Sequence, residues 1–233
     1  MQPFRMLSSV AAPLPEANID TDIIFPARFL LLLNKKGLGA HLFNERRNNK
    51  TQAGAQFVLD RPPFDRARIL VAGRDFGTGS SREQAVWALA DFGIRCVIAP
   101  SFGEIFFANC FKNGVLPIVL GQPEHDAVMA KAQQAGSITV DLEAQVVRLN
   151  DGRAISFEID AYRKRGLQLG LDDIGAVLAD DTHDIASFET RQRERRPWLY
   201  LQPETLSYFG DLAETPRPND GPTSAIIDTE RSG

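Results

Sequence analysis

Between Ile69 and Ser101 the sequence reads ILVAGRDFGTGSSREQAVWALADFGIRCVIAPS. Two short apolar runs, Ile69 to Ala72 and Cys96 to Ala99, are closed by Gly73 and Pro100. Between them lie a loop with Gly73, Gly77 and Gly79 and then a helical pattern that ends near Gly93. The order is strand, glycine loop, helix, strand. The helix is expected to begin at Ser80 or Ser81, with Ser80 as N-cap and Glu83 completing a capping box. Val86, Leu89 and Ala90 give it one buried face.

A helix start carries free N–H groups and the positive end of a dipole. Here Ser80, Ser81 and the guanidinium of Arg82 stand at the same place, which suits a carboxylate or a phosphate. An equally open reading makes Ser80 a plain cap and Arg82 a solvated first-turn residue. Gly77 and Gly79 tip the balance modestly toward a ligand loop, because they allow positive φ and close backbone approach. The pattern is not a dinucleotide fingerprint, since position 82 is Arg82 and not glycine, nor a phosphate loop of the GK[ST] kind.

Downstream, Phe102 to Phe111 reads as a helix with Ile105, Phe106, Cys110 and Phe111 facing inward. Leu116 to Leu120 reads as a strand and Glu124 to Gln134 as a helix. Repeated strand–helix units predict an α/β fold with a mainly parallel sheet. Alternation at Ile138, Val140 and Leu142, and again at Ile155, Phe157 and Ile159, predicts antiparallel additions at the sheet edge. Short helices are expected at 160–166 and 172–178, and a charged one at 184–196. Met6 to Val10 is a candidate first strand, and Phe57 to Leu59 a short strand or turn.

At a formal charge of −4 the chain of 233 residues is a poor partner for nucleic acid. Phe29 to Leu33 is far too short to span a bilayer, and no signal segment is apparent, so a cytoplasmic chain without a membrane partner is expected. Cys96 and Cys110 have no metal or cluster spacing, and His41, His125 and His183 are widely separated. Asp20 and Asp22, flanking Thr21, can do orienting or acid–base work, or serve as turn residues. Residues 34–56 form a polar stretch with Lys35, Lys36, Gly37 and Gly39, expected to be a mobile loop for substrate or partner. The expected domain covers 1–196, with an extension at 197–233 disordered from about 212. Such a chain reads as part of a site: it can hold a small anion and needs a partner for chemistry.

Four segments carry a family resemblance: NIDTDIIFPARF at 18–29, GLGAHLF at 37–43, FGTGSSREQAVWALADFGIRCVIAPSFGEIFFANCFKNGVLPI at 76–118 and GLDDIG at 170–175. In this order they resemble the small subunits of 3-isopropylmalate dehydratase, relatives of the C-terminal swivel domain of aconitase. The resemblance covers about residues 17 to 190. It implies a swivelling β/β/α domain that works with a large subunit holding a [4Fe–4S] cluster, none being held by this chain. The implied reaction converts 2-isopropylmalate to 3-isopropylmalate by dehydration and rehydration, in leucine biosynthesis. Ser81 falls on the family's base, Arg82 on its carboxylate-binding arginine, and Gly79 and Ser80 on hydrogen-bonding positions. Thr78 and the segment Asp20, Thr21 and Asp22 fall at the same mouth. Leu31 to Gly37 falls where relatives meet the substrate's variable group, so Leu31 and Leu33 are candidates for an isopropyl group. Lys35 and Lys36 are candidates to replace an arginine common there. The family's usual GCGSSREHA is here GTGSSREQA, with Thr78 and Gln84. These departures keep open a related hydro-lyase acting on a dimethylmalate or citraconate type of substrate; the out-of-class alternative is a non-catalytic small-anion binding protein.

Overall fold

The computed structural model describes residues 1–32, 34–48 and 56–200. The expectation of disorder from about 212 and the candidate Leu33 lie outside these residues. In chain order the elements are β1 (Met6–Leu14), α1 (Thr21–Ile24), α2 (Asn44–Arg47), β2 (Ile69–Ala72), α3 (Gln84–Phe92), β3 (Cys96–Ala99), α4 (Glu104–Lys112), β4 (Leu116–Val119), α5 (Gln122–Gln133), β5 (Ser137–Asp141), β6 (Val146–Leu149), β7 (Ala154–Ser156), α6 (Ala161–Leu169) and α7 (Asp173–Arg195). Short 3-10 turns include Leu38–His41 and Val58–Asp60.

One seven-stranded sheet runs in the order β4-β3-β2-β1-β5-β6-β7. The first four strands are parallel, with Ala11 opposite Ile69, Ile69 opposite Cys96, and Cys96 opposite Leu116. The other pairings are antiparallel, with Ser9 opposite Ile138, Thr139 opposite Arg148 and Val147 opposite Ile155. The fold is thus α/β, parallel in its centre with antiparallel additions. Strand β1 joins the two halves: its residues Met6–Val10 pair with β5 and Ala11–Leu14 with β2.

The apolar runs become central strands because both of their faces are covered. Leu70, Ala72, Val97 and Ala99 pack on one side with Val86, Leu89 and Phe106. Ile69, Val71, Cys96 and Ile98 pack on the other with Val128, Met129 and Ala132. This period of two divides each strand between two cores, and each large side chain removed from water contributes about 1.5–3 kcal/mol.

Several elements differ from the sequence expectation for identifiable reasons. Helix α3 starts at Gln84, not at Ser80 or Ser81. Ile105 points outward, while Phe106, Cys110 and Phe111 are buried. The inward place belongs to Phe106, whose ring packs edge-on against Phe76 at 5.4 Å between centroids. The helices expected at 172–178 and 184–196 are one helix, α7, because residues 176–196 contain no glycine or proline to break it. Of the two readings for Phe57 to Leu59, the turn holds: Val58–Asp60 form a 3-10 turn. Within the stretch 34–56, Leu38, Leu42 and Phe43 are buried in the core, so its described part is pinned by apolar side chains.

By compactness the chain divides at Asp180. The first unit, Met1–Asp180, contains the sheet and both cores. In the second, the described residues continue helix α7 and end in a 3-10 turn at Pro197–Leu199, with Arg193 5.3 Å above the Tyr200 ring. Among the described residues no helix is long and apolar enough to cross a membrane.

Candidate active half-site

Strands β1, β2 and β3 run parallel, so the segments that follow them emerge at one edge of the sheet, where ligands of open α/β sheets bind. The segment after β2 is clamped between the other two. Asn18 N–H donates to Arg74 O (2.9 Å), Gly77 N–H to Ile19 O (2.7 Å) and Thr21 N–H to Thr78 O (2.9 Å). On the other side Phe76 N–H donates to Ser101 O (3.1 Å) and Gly103 N–H to Phe76 O (2.9 Å). Two glycines make the close passage possible. Gly77 has φ +75° and lies against the Phe106 ring, and Gly79 has φ +98° beside Asp20 and Thr21.

Thr21 is the fixed point of the turn that follows. It is 1% exposed. Its Oγ1 accepts from Ser80 N–H at 3.2 Å, shares a hydrogen bond with Ser80 Oγ at 3.2 Å and lies 3.5 Å from Ser80 O, to which it can donate. This engagement explains why Ser80 does not cap α3. Residue 83 occupies the cap position and no side chain bonds the helix start. The capping box is therefore absent: Ser80 is held by a residue 59 positions away, and Glu83 accepts from Trp87 Nε1 at 3.2 Å and Asn113 Nδ2 at 2.7 Å. Asp20 takes the turn role, capping α1 by accepting from Ile23 N–H at 2.7 Å.

Ser81 is exposed and makes no hydrogen bond to any described residue. Arg82, whose side chain is 20% exposed, has its Nη1 on Oδ1 of Asp22, a carboxylate at the surface. Gly79, Ser80, Ser81, Arg82, Thr78, Asp20, Thr21 and Asp22 are thus brought to one place, with a free hydroxyl beside a guanidinium. Lys35 is not directed there: its Nζ lies 4.5 Å above the Trp87 ring and 3.2 Å from Asn113 Oδ1. Lys36 and Leu31 are exposed, and neither side chain bonds to Ser81 or Arg82. The Asn113–Glu83–Trp87 cluster was not legible beforehand. Its only sequence signal is an acidic residue four positions before a tryptophan on a helix face.

A threonine buried for its hydroxyl is a sensitive place. Thr21→Val keeps the shape but leaves Ser80 N–H without its partner. It is expected to lower unfolding stability by about 1–2 kcal/mol, read from the midpoint of urea denaturation.

The two cysteines do not fit an iron–sulfur cluster. Both are fully enclosed in the core, and burial pushes each thiol well above its ordinary range, against the thiolate a metal needs. Among the described residues no group of three or more His, Cys, Asp or Glu side chains stands where it could hold a metal ion.

The fold and the clamped serine–arginine turn place the chain in a class. A family model described as Aconitase C-terminal domain matches residues 1–123, and one described as LeuD_N matches residues 126–161. The 3-isopropylmalate dehydratase small subunit of Parvibaculum lavamentivorans is 50% identical over 202 residues, covering 85% of this chain and 100% of its own length. That of Paramagnetospirillum magneticum is 52% identical over 204 residues, with the same coverages. A solved 3-isopropylmalate dehydratase structure from Methanocaldococcus jannaschii superposes with a TM-score of 0.60 over 78% of this chain and 99% of that one; at 24% identity it speaks for the fold. The chain belongs to the family of 3-isopropylmalate dehydratase small subunits.

Proposed function

We propose that this chain is the small subunit of a hydro-lyase that isomerises 2-isopropylmalate to 3-isopropylmalate by dehydration and rehydration, in leucine biosynthesis. The observation that carries the reading is the identity of about half over the full length of named small subunits, with the Gly79–Ser80–Ser81–Arg82 turn intact and clamped by Thr21. The partner is a large subunit, to which the [4Fe–4S] cluster belongs. When bound, the cluster supplies a Lewis acid for the substrate's hydroxyl and carboxylate.

The residues of this chain supply the proton chemistry and part of the grip. Ser81 Oγ takes the proton from the carbon next to a carboxylate as the neighbouring carbon loses its hydroxyl. On rehydration the hydroxyl is added at the carbon that gave up its proton, so a proton must go to the carbon that lost its hydroxyl, and the same Oγ delivers it. A serine hydroxyl is a weak base. The adjacent positive charge of Arg82 and the N–H groups at the start of α3 favour its anion. Arg82 exchanges its surface partner Asp22 for a substrate carboxylate, a two-pronged match for a planar guanidinium. Gly79 leaves room for substrate, and Thr21 fixes Ser80, so the turn is set before substrate arrives.

The test is to purify the chain with and without the candidate large subunit. The cluster is reconstituted without oxygen, and a panel of 2-alkylmalates is assayed. Turnover of 2-isopropylmalate is expected only from the pair, and the chain alone is expected to bind no iron. Turnover by the isolated chain, or a reconstituted pair inactive on every alkylmalate, would refute the reading.

A further inference from the structure

Two arginines stand at the edge of the sheet opposite the Ser81–Arg82 turn. Arg68 immediately precedes β2 and Arg95 immediately precedes β3, whereas the turn follows the other end of β2. Arg95 is only 8% exposed. Its Nε donates to Gly114 O at 3.0 Å, its Nη2 to Gln2 O at 2.8 Å and Pro3 O at 3.3 Å, and its Nη1 to Gln2 Oε1. All four acceptors are neutral. These four bonds leave one of the five guanidinium N–H groups without a partner among the described residues. No described carboxylate pairs with Arg95.

A buried cation without a counter-charge is costly. The bonds give Arg95 a structural task, since they tie Gln2 and Pro3 to the turn before β4. That task needs one arginine. Arg68 adds a second positive charge where it works against the first: burial, and then the charge of Arg68, holds the Arg95 guanidinium below its ordinary range. The Arg68 side chain is exposed and makes no hydrogen bond or ion pair with a described residue. Both arginines line a cavity of about 160 Å³, together with Gln2, Phe4 and Met6, and none of its lining residues is acidic.

We propose that this cavity binds a small free oxyanion of the phosphate or sulfate kind, held between the guanidinium groups of Arg68 and Arg95. Its volume corresponds to roughly five waters, room for a tetrahedral oxyanion and little more. The spare N–H of Arg95 and the fork of Arg68 donate to the oxygens. Gln2 turns its amide to offer Nε2 in place of Oε1. The anion supplies the missing counter-charge, so it binds the folded chain and stabilises it. The site is separate from the catalytic turn and does not rest on the proposed reaction.

The experiment is calorimetric titration of the full chain with inorganic phosphate, at an ionic strength held constant with chloride. Arg82 also attracts anions, so Arg82→Gln is the background in which the titration is made. One saturable site is expected there. Phosphate at about twenty times its Kd is expected to raise the melting temperature by about 4 °C. Arg95 variants lose the bonds to Gln2, Pro3 and Gly114 and can fail to fold for that reason alone. The exposed Arg68 has no such task. Adding Arg68→Gln is expected to leave the melting temperature without phosphate unchanged or slightly higher, because a like charge is removed, and to raise Kd about tenfold. Absence of saturable binding in the Arg82→Gln chain would overturn the proposal. So would a Kd that Arg68→Gln leaves unchanged, which would place the ion elsewhere.

Discussion

Ser81→Ala is expected to lower turnover of 2-isopropylmalate by the reconstituted pair at least about 10³-fold, the scale of losing a positioned general base. The fold should not register the change. Ser81 is exposed and bonded to no described residue, so its hydroxyl has no structural role in the free subunit. Assembly with the large subunit and KM are expected to stay near parental, since the group acts on a proton and not on the ground-state carboxylates. Ser80→Ala makes the internal contrast. That hydroxyl is spent on Thr21, so its loss should loosen the turn and cost about tenfold in kcat/KM. Stopped assays on both variants, with thermal unfolding as a control, separate the two serines. Near-normal turnover in Ser81→Ala would remove it from the base role.

The second large effect concerns the clamp itself. Gly77→Ala is expected to destabilise the chain by about 3 kcal/mol, from strain at positive φ together with overpacking. A Cβ at position 77 would stand 2.2 Å from Cγ of Phe106. That atom is the root of a ring wedged between Phe76 at 5.4 Å and Phe102 at 6.4 Å, not the free end of a long side chain. Relief requires moving α4 or the glycine segment, and the latter carries Thr78 to Arg82 with it. Activity is therefore expected to fall by more than stability alone explains, when assayed well below the melting temperature. Gly37→Ala is the control. It too has positive φ, at +89°, but nothing stands within 4 Å of its Cβ. Only the backbone preference is lost there, about 1 kcal/mol. The difference between the two melting temperatures isolates the packing part; equal shifts would show that Phe106 yields freely.

The central strands could be read from sequence because their information is local. Ile69–Ala72 and Cys96–Ala99 are unbroken apolar runs with a breaker behind each. The antiparallel additions were legible for the same reason, through alternation at Ile138, Val140 and Leu142. The start of α3 was not. SSRE has the local signature of a capping box, but Ser80 is claimed by Thr21 and Glu83 by Asn113, 59 and 30 residues away. Long-range partners overrode a local preference worth only about 1 kcal/mol. Asp20 shows the reverse: its turn reading, Asx bond to Ile23, needed nothing distant. Lys35 was a candidate, through the family resemblance, to replace an arginine near substrate. The structure places it on an aromatic ring, a contact that no spacing rule between residues 35 and 87 announces.

Strand β1 has one neighbour from residues 69–72 and another from residues 137–141. During synthesis the Ala11–Leu14 part of MLSSVAAPL stays open until residues 69–72 have emerged, and the Met6–Val10 part until the ribosome has passed residue 141. Seams of this kind raise contact order and slow folding, and they expose sticky edges meanwhile. Chaperone demand for this subunit should accordingly peak late in translation and subside once the hairpin after α5 emerges.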